Sequence, residues 1–223
     1  MNLLPRQLLL GAALLAAATG VRGGVITETA RVSTVNWDIA DLQDPPLSFL
    51  QHITDSSIAS LTRVEVSLNL VGRGAGGFAG EMFVSLNKDL SLTSVLVNQV
   101  GVSPTDSIGL PYNGWNVTLS DLAASDLHTV VQTSGVLSGT YQPDGRTDPT
   151  SSLRPELLGV FNGGAGNGDW RLNVADLGLG GNMRLVSWSL TLTGEQVPEP
   201  GTYGACAALL AVTAASWWRA RRR

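Results

Sequence analysis

His52 and His128 are the only imidazoles in the chain and Cys206 is its only thiol, so nucleophilic and acid–base chemistry has few starting points. A Ser-His-Asp triad needs a histidine beside an exposed serine. Neither histidine stands in an Asp-x-His-Gly or Gly-x-Ser-x-Gly context, and both read as surface or structural residues. Zinc requires three or four ligands close together; two separated histidines and a body without cysteine do not supply them. Carboxylates are more numerous: Asp41 and Asp44 in DLQDPP, Asp121 and Asp126 in LSDLAASD, Asp144 and Asp148 in PDGRTD. Aspartate in such loops bonds its own backbone, which accounts for most of them. Oxygen-rich loops also suit calcium. The DxDxDG spacing is absent, and Asp121, Asp144 and Asp148 are the candidates for such an ion. A glycosidase would need two carboxyls converging across a cleft, which spacing alone does not establish.

The elements that must position these groups read as strands. In SIASLTRVEVSLNLVG, Val64, Val66, Leu68 and Leu70 alternate with Arg63, Glu65, Ser67 and Asn69, the period of a half-buried strand. EMFVSLN sets Met82, Val84 and Leu86 on one face, and DWRLNVAD does the same with Trp170, Leu172 and Val174. LVSWSLTLTG turns Val186, Trp188, Leu190 and Leu192 inward. SVLVNQV, WNVTLSDL, LHTVVQ and GVLSGTYQP are shorter runs of the same kind, and only TLSDLAASDLH has room for one or two helical turns. Short strands separated by turn signals predict an all-β, antiparallel two-sheet sandwich or jelly roll. The glycines of GRGAGGFAG (72–80) read as a loop; no helix follows to present its N-terminus to a phosphate.

Composition narrows the partners. Hydrophobic residues make up 43% and charged residues 14%, with 26 glycines, as in a turn-rich exported β-protein. Residues 24–200 hold all 18 acidic side chains and only eight basic ones, a net charge of −10 that repels nucleic acid and anionic lipid. With Cys206 outside it, this body has no disulfide and must rely on its core alone. Asn116 opens an Asn-Val-Thr sequon, which reads as accidental.

Both ends read as processing signals. Residues 1–23 combine Arg6, an apolar run from Leu8 to Ala18, and small residues after which cleavage could follow Gly20 or Gly23, the pattern of a secretory signal peptide read by the Sec translocon and signal peptidase. At the other end, 201–218 is an apolar span of 18 residues, roughly 27 Å as a helix, enough for the hydrocarbon core. Trp217 and Trp218 sit at an interfacial belt, and Arg219, Arg221, Arg222 and Arg223 hold the C-terminus in the cytoplasm. Residues 195–200 form a linker before this span. Within it, Val197, Pro198, Glu199 and Pro200, followed by the apolar span and the arginine stub, resemble the Pro-Glu-Pro C-terminal sorting signal, PEP-CTERM. The resemblance implies a Gram-negative bacterium that makes extracellular polysaccharide. It further implies a transient inner-membrane precursor and cleavage near the motif by exosortase, a membrane-embedded transpeptidase. The prolines keep this stretch extended and accessible.

A second resemblance covers residues 56–194. Phe161-Asn162-Gly163, Asn167-Gly168-Asp169-Trp170, Asp176 and Ser187-Trp188 resemble the closing part of the proprotein-convertase P domain, or P/Homo B domain. SIASLTRVEVSLNL resembles its first long strand and GTYQPDG its Gly-x-aromatic-x-Pro turn; in place of the family's Tyr-x-Gly-Asp turn stands VGRGAGGFAG. The resemblance implies an antiparallel jelly roll of about eight strands, with Trp170 and Trp188 as core anchors and residues 24–55 joining the sandwich. In convertases this domain stabilises a neighbouring protease. The expectation is therefore an exported, non-enzymatic surface or matrix protein, structural, adhesive or in contact with polysaccharide, that needs no cofactor unless calcium binds. Its alternatives are an accessory module of a separate exported protease and a carbohydrate-active jelly-roll enzyme.

Overall fold

The structure, a computed structural model, describes residues 24–29, 33–73, 77–111, 113–132, 135–196 and 218–219. The expected signal peptide, the motif Val197–Pro200, the span 201–217, and Arg221, Arg222 and Arg223 lie outside the described residues. Among those described, no helix is long and apolar enough to cross a membrane. The chain divides into two compact units, residues 26–194 and the two ends, 1–25 with 195–223. In the terminal unit the Gln196 amide donates to the Gly24 carbonyl at 3.0 Å, and Trp218 and Arg219 are helical and exposed.

The body is all-β. Its strands are β1 (Val25–Thr29), β2 (Ser33–Ile39), β3 (Leu47–Ile53), β4 (Ile58–Gly72), β5 (Met82–Lys88), β6 (Leu92–Asn98), β7 (Gly114–Leu119), β8 (Leu137–Tyr141), β9 (Gly168–Asp176) and β10 (Met183–Gln196). One sheet runs β1-β10-β4-β7-β8, with β2 also paired to β10, and the other runs β3-β9-β5-β6. Three short 3-10 turns, Ala79–Glu81, Leu127–Thr129 and Leu158–Phe161, join them.

The period-2 readings place the core. Val64, Val66, Leu68 and Leu70 of β4, Met82, Val84 and Leu86 of β5, and Trp170, Leu172 and Val174 of β9 are all buried. In β10 the reading slips by one residue. Leu185 is fully buried while Val186 is only half-buried, because the pairing with β2 shifts register between Leu185 and Ser187. A bulge adds a residue to one strand and exchanges the faces on either side of it. Met183 and Leu185 therefore point inward before the bulge, and Trp188, Leu190 and Leu192 after it. Within this antiparallel sandwich one pair departs from the rule: β8 runs parallel to β7, from Trp115 opposite Leu137 to Leu119 opposite Tyr141. A parallel pair needs a crossover, and residues 120–136, with their 3-10 turn, provide it.

Three indoles anchor the interior: Trp115, Trp170 and Trp188 are each no more than 1% exposed. Trp170 meets the ring of Phe161 edge-on at 5.1 Å, donates its Nε1–H to the Gly166 carbonyl at 3.1 Å, and carries the Lys88 ammonium 5.6 Å above its ring. Aromatic edge contacts and a cation over the ring each add to the area the indole buries. Truncating Trp170→Ala is expected to cost about 3–5 kcal/mol of unfolding free energy in urea titrations. Trp37→Ala, at a side chain that is 56% exposed, should stay within about 0.5 kcal/mol.

Candidate functional site

The motif residues of the closing third knit the sheets together. Beyond the 3-10 turn, the Gly163 amide donates to Leu61 O (2.8 Å), the Leu61 amide to Gly164 O (2.7 Å) and the Gly166 amide to Ile58 O (3.0 Å). Asn167 clamps Ser56, its Oδ1 accepting the Ser56 amide at 2.9 Å and its Nδ2 donating to the Ser56 carbonyl at 3.1 Å. Gly168 has φ +141°, and a β-carbon there would lie 2.8 Å from the Asp89 carboxylate. Only glycine takes that conformation without strain. These residues thus fix where β4 begins and where Trp170 enters the core.

The densest polar arrangement lies across β6 and residues 121–156. Asp144, fully buried, accepts from Arg146 Nη1 on Oδ1 (3.0 Å) and from His128 Nδ1 (2.7 Å) and the Asn98 amide (3.1 Å) on Oδ2. Arg146 also donates through Nη2 to Asp126 Oδ2 (2.7 Å) and through Nε to the Ser151 carbonyl (2.8 Å). Arg154 bonds the Asp144 carbonyl (2.8 Å), Gln142 Oε1 (2.7 Å) and the Pro143 carbonyl. Amides of Asp144 and Gly145 tie the loop to β6 at Leu96 O and Val95 O.

His128 is 7% exposed, and its second nitrogen, Nε2, lies 2.9 Å from the Val102 carbonyl. A carboxylate and a carbonyl both need a donor, so both ring nitrogens carry protons and the ring is an imidazolium. Burial pushes its pKa down, but the Asp144 hydrogen bond and charge, with the Val102 bond, outweigh this and raise it above the usual histidine value. A His–Asp pair at 2.7 Å is two-thirds of a triad by distance. A general base presents Nε2 to its nucleophile, whereas here that atom is occupied by backbone. The cluster is a charged knot whose groups satisfy one another.

The other expected residues are dispersed. Asp121 accepts the amides of Leu158 (3.1 Å) and Gly159 (2.6 Å), and Asp148 caps Thr150 through its amide (2.9 Å) and hydroxyl (2.8 Å). The calcium candidates Asp121, Asp144 and Asp148 thus each serve separate partners. No three His, Cys, Asp or Glu side chains among the described residues form a ready-made metal site. His52 is exposed and bonds Asp169 at 2.6 Å. Sequence reasoning did not single out Asp126, Arg146 and Arg154 as a cluster; the Asp-Gly-Arg spacing of residues 144–146 was the available signal.

No family model matches this chain, and no curated protein matches it. Among solved structures it is similar to the serine protease of Aeromonas sobria in complex with its chaperone, at 18% identity and a TM-score of 0.45 over 83% of this chain and 30% of that one. It is likewise similar to the A. sobria serine protease alone, at 18% identity and a TM-score of 0.43 over 81% of this chain and 29% of that one. The chain thus spans less than a third of the length of either structure.

Breaking the knot at Asp144→Ala strands a buried arginine and imidazolium and should cost about 3–5 kcal/mol in urea unfolding. Because the folded state raises the His128 pKa, the stability it contributes is fully present below the ordinary value of 6.5 and is lost as pH rises through the folded value. Unfolding free energy should therefore fall as pH is raised above 6.5, and His128→Gln should flatten that slope when the two pH profiles are compared.

Proposed function

We propose that this chain is an exported, non-catalytic module that works by binding. Its partner is a separate exported protein, a protease if the likeness to the P domain extends to role, and its tail delivers it to the cell surface or matrix through exosortase. The observation that carries the non-catalytic reading is the closed charge knot, in which His128 Nε2 is held by the Val102 carbonyl and offers no base to a substrate. Exposed leucines support the binding reading. Leu42 (59% exposed), Leu177 (42%) and Leu179 (71%) lie on two loops joined by the bond from the Leu42 amide to the Gly178 carbonyl. Clustered apolar side chains left in water are a mark of interaction surfaces.

A second reading, contact with extracellular polysaccharide, is favoured by Trp37. This exposed indole precedes a cleft of about 300 Å³ lined by Asp38, Ile39, Ala40, Arg73 and Asn182. A planar apolar ring next to hydrogen-bonding groups suits a sugar.

Cross-linking in the native host followed by mass spectrometry decides between these readings. The accessory reading expects one exported protease at near-equal amount, its recovery lowered several-fold by Leu179→Asp. Retention on polysaccharide, lost with Trp37→Ala and with no protein partner recovered, would overturn it in favour of the second. The same spectra should show a chain ending at or near Pro200; a chain still ending in Arg223 would remove exosortase from the proposal.

A further inference from the structure

The cleft that follows Trp37 is built where β2 meets the start of β10. Met183, Arg184 and Leu185 of β10 stand opposite Ile39, Asp38 and Trp37 of β2. Between that pairing and Ser187 opposite Thr34, β2 carries one residue more than β10. Asn36 lies in this bulge with φ +48°, in the left-handed region, which asparagine enters more readily than most residues. Alternation lapses there: Asn36, Trp37 and Asp38 are exposed in succession, where an unbroken strand would turn every second side chain inward. Bulges re-aim side chains in this way. An indole and a carboxylate are thus both open to solvent, and Asp38, Ile39 and Ala40 continue into the lining of the cleft.

Two arginines converge on that carboxylate. Arg184 meets Asp38 fork on fork, Nε donating to Oδ1 at 2.5 Å and Nη2 to Oδ2 at 3.0 Å, so both oxygens are taken. Arg73, the residue after β4, is fixed at the cleft by its backbone, its amide donating to the Asn182 carbonyl at 2.8 Å. Its side chain comes to the same carboxylate, Nε lying 3.3 Å from Oδ1, and stays 49% exposed. Arg63, Arg146, Arg154, Arg171 and Arg184 each donate a side-chain hydrogen bond within the body; the Arg73 guanidinium donates none to the described residues. Two guanidiniums thus share one carboxylate, a local surplus of positive charge in a body that is acidic as a whole.

The groups around the cleft select the ligand. Its volume of about 300 Å³ stands at the lower end of ligand pockets, which suits a single small ring. The planar guanidinium fork matches a carboxylate. The Asn182 side chain is exposed and can both donate and accept, as hydroxyl groups require. The Trp37 indole adds a flat apolar face. A carboxylate, hydroxyls and an apolar ring face occur together in a uronic acid. We propose that this cleft takes an acidic sugar of a polyuronate, Arg73 pairing with its carboxylate, Asn182 with a hydroxyl, and Trp37 stacking on a neighbouring ring. This rests on the second reading above, contact with polysaccharide, and narrows it to acidic sugars. The acidity of the body as a whole opposes it little at contact, because exposed charges beyond about 10 Å are largely screened at 0.1 M salt.

The test is calorimetric titration of the purified full-length chain at pH 7.5 with trigalacturonate and trimannuronate, each as the free acid and as its methyl ester. The ester keeps the ring and removes the charge. At least one acid should bind about tenfold more tightly than its ester, the ratio expected of one charge-assisted bond. Arg73→Gln should bring that acid and ester to equal affinity while its Tm stays within about 2 °C of wild type. Trp37→Ala should weaken acid and ester alike, by roughly several-fold. Equal affinity of the wild type for acids and esters would overturn the inference and leave polysaccharide contact standing; binding of neither would remove both. An acid preference that persists in Arg73→Gln would overturn the role given to Arg73.

Discussion

Asp144 is fully buried, and its charge is answered on one oxygen by Arg146 and on the other by His128 and the Asn98 amide. Much of the molecule depends on that compensation. Residues 120–160 contain one five-residue strand and two short 3-10 turns, too little ladder to hold such a length of chain. Arg146 and Arg154 spend most of their donors on backbone carbonyls and neighbouring side chains of this region. The segment is thus wound around two guanidiniums, that of Arg146 buried and that of Arg154 half-buried, and tied to β6 through Asp144 and Gly145. A buried ion pair is weak evidence of net stability, since desolvation offsets most of the attraction. What the knot does here is position: its bonds join Asp126, Asp144 and Ser151 through Arg146 and tie Asp144 to β6 at Asn98.

The apolar interior supplies the driving force that the knot directs. Trp115, Trp170 and Trp188 dominate the interior. The Asn167–Trp170 turn sets the depth of Trp170, since Asn167 is fixed on Ser56 and the indole on Gly166. The resemblance to the P domain is strongest where the chain is most constrained, in a turn whose side chains have structural partners. Residues of this kind speak for packing; loops such as 42 and 177–179, where leucines face water, carry none of them.

The charged groups around Asp144 and around Asp38 differ in one respect. Around Asp144, cations of the chain itself neutralise the charge and are bonded by neighbouring groups; around Asp38, Arg184 takes both oxygens and Arg73 stays half-exposed beside it. Both are built from residues far apart in sequence. Of the carboxylates noted in loops beforehand, Asp121 and Asp148 proved to cap local amides, as turn chemistry anticipates. Asp38, Arg73 and Arg184 share no local pattern, and their proximity follows from β10 pairing with both β2 and β4.

The sequence by itself determined the class of fold and most of the core, because side chains alternate along a strand whatever lies beyond it. Val64 to Leu70, Met82 to Leu86 and Trp170 to Val174 were legible for that reason. It also carried the readings of the two ends, which rest on the order of charged, apolar and proline residues along the chain. Only the tertiary structure decided that β8 pairs in parallel with β7, that a bulge hands the inward position from Val186 to Leu185, and which carboxylate meets which cation. Strand pairing brings together residues a hundred or more positions apart, and alternation within one strand holds no information about its neighbour.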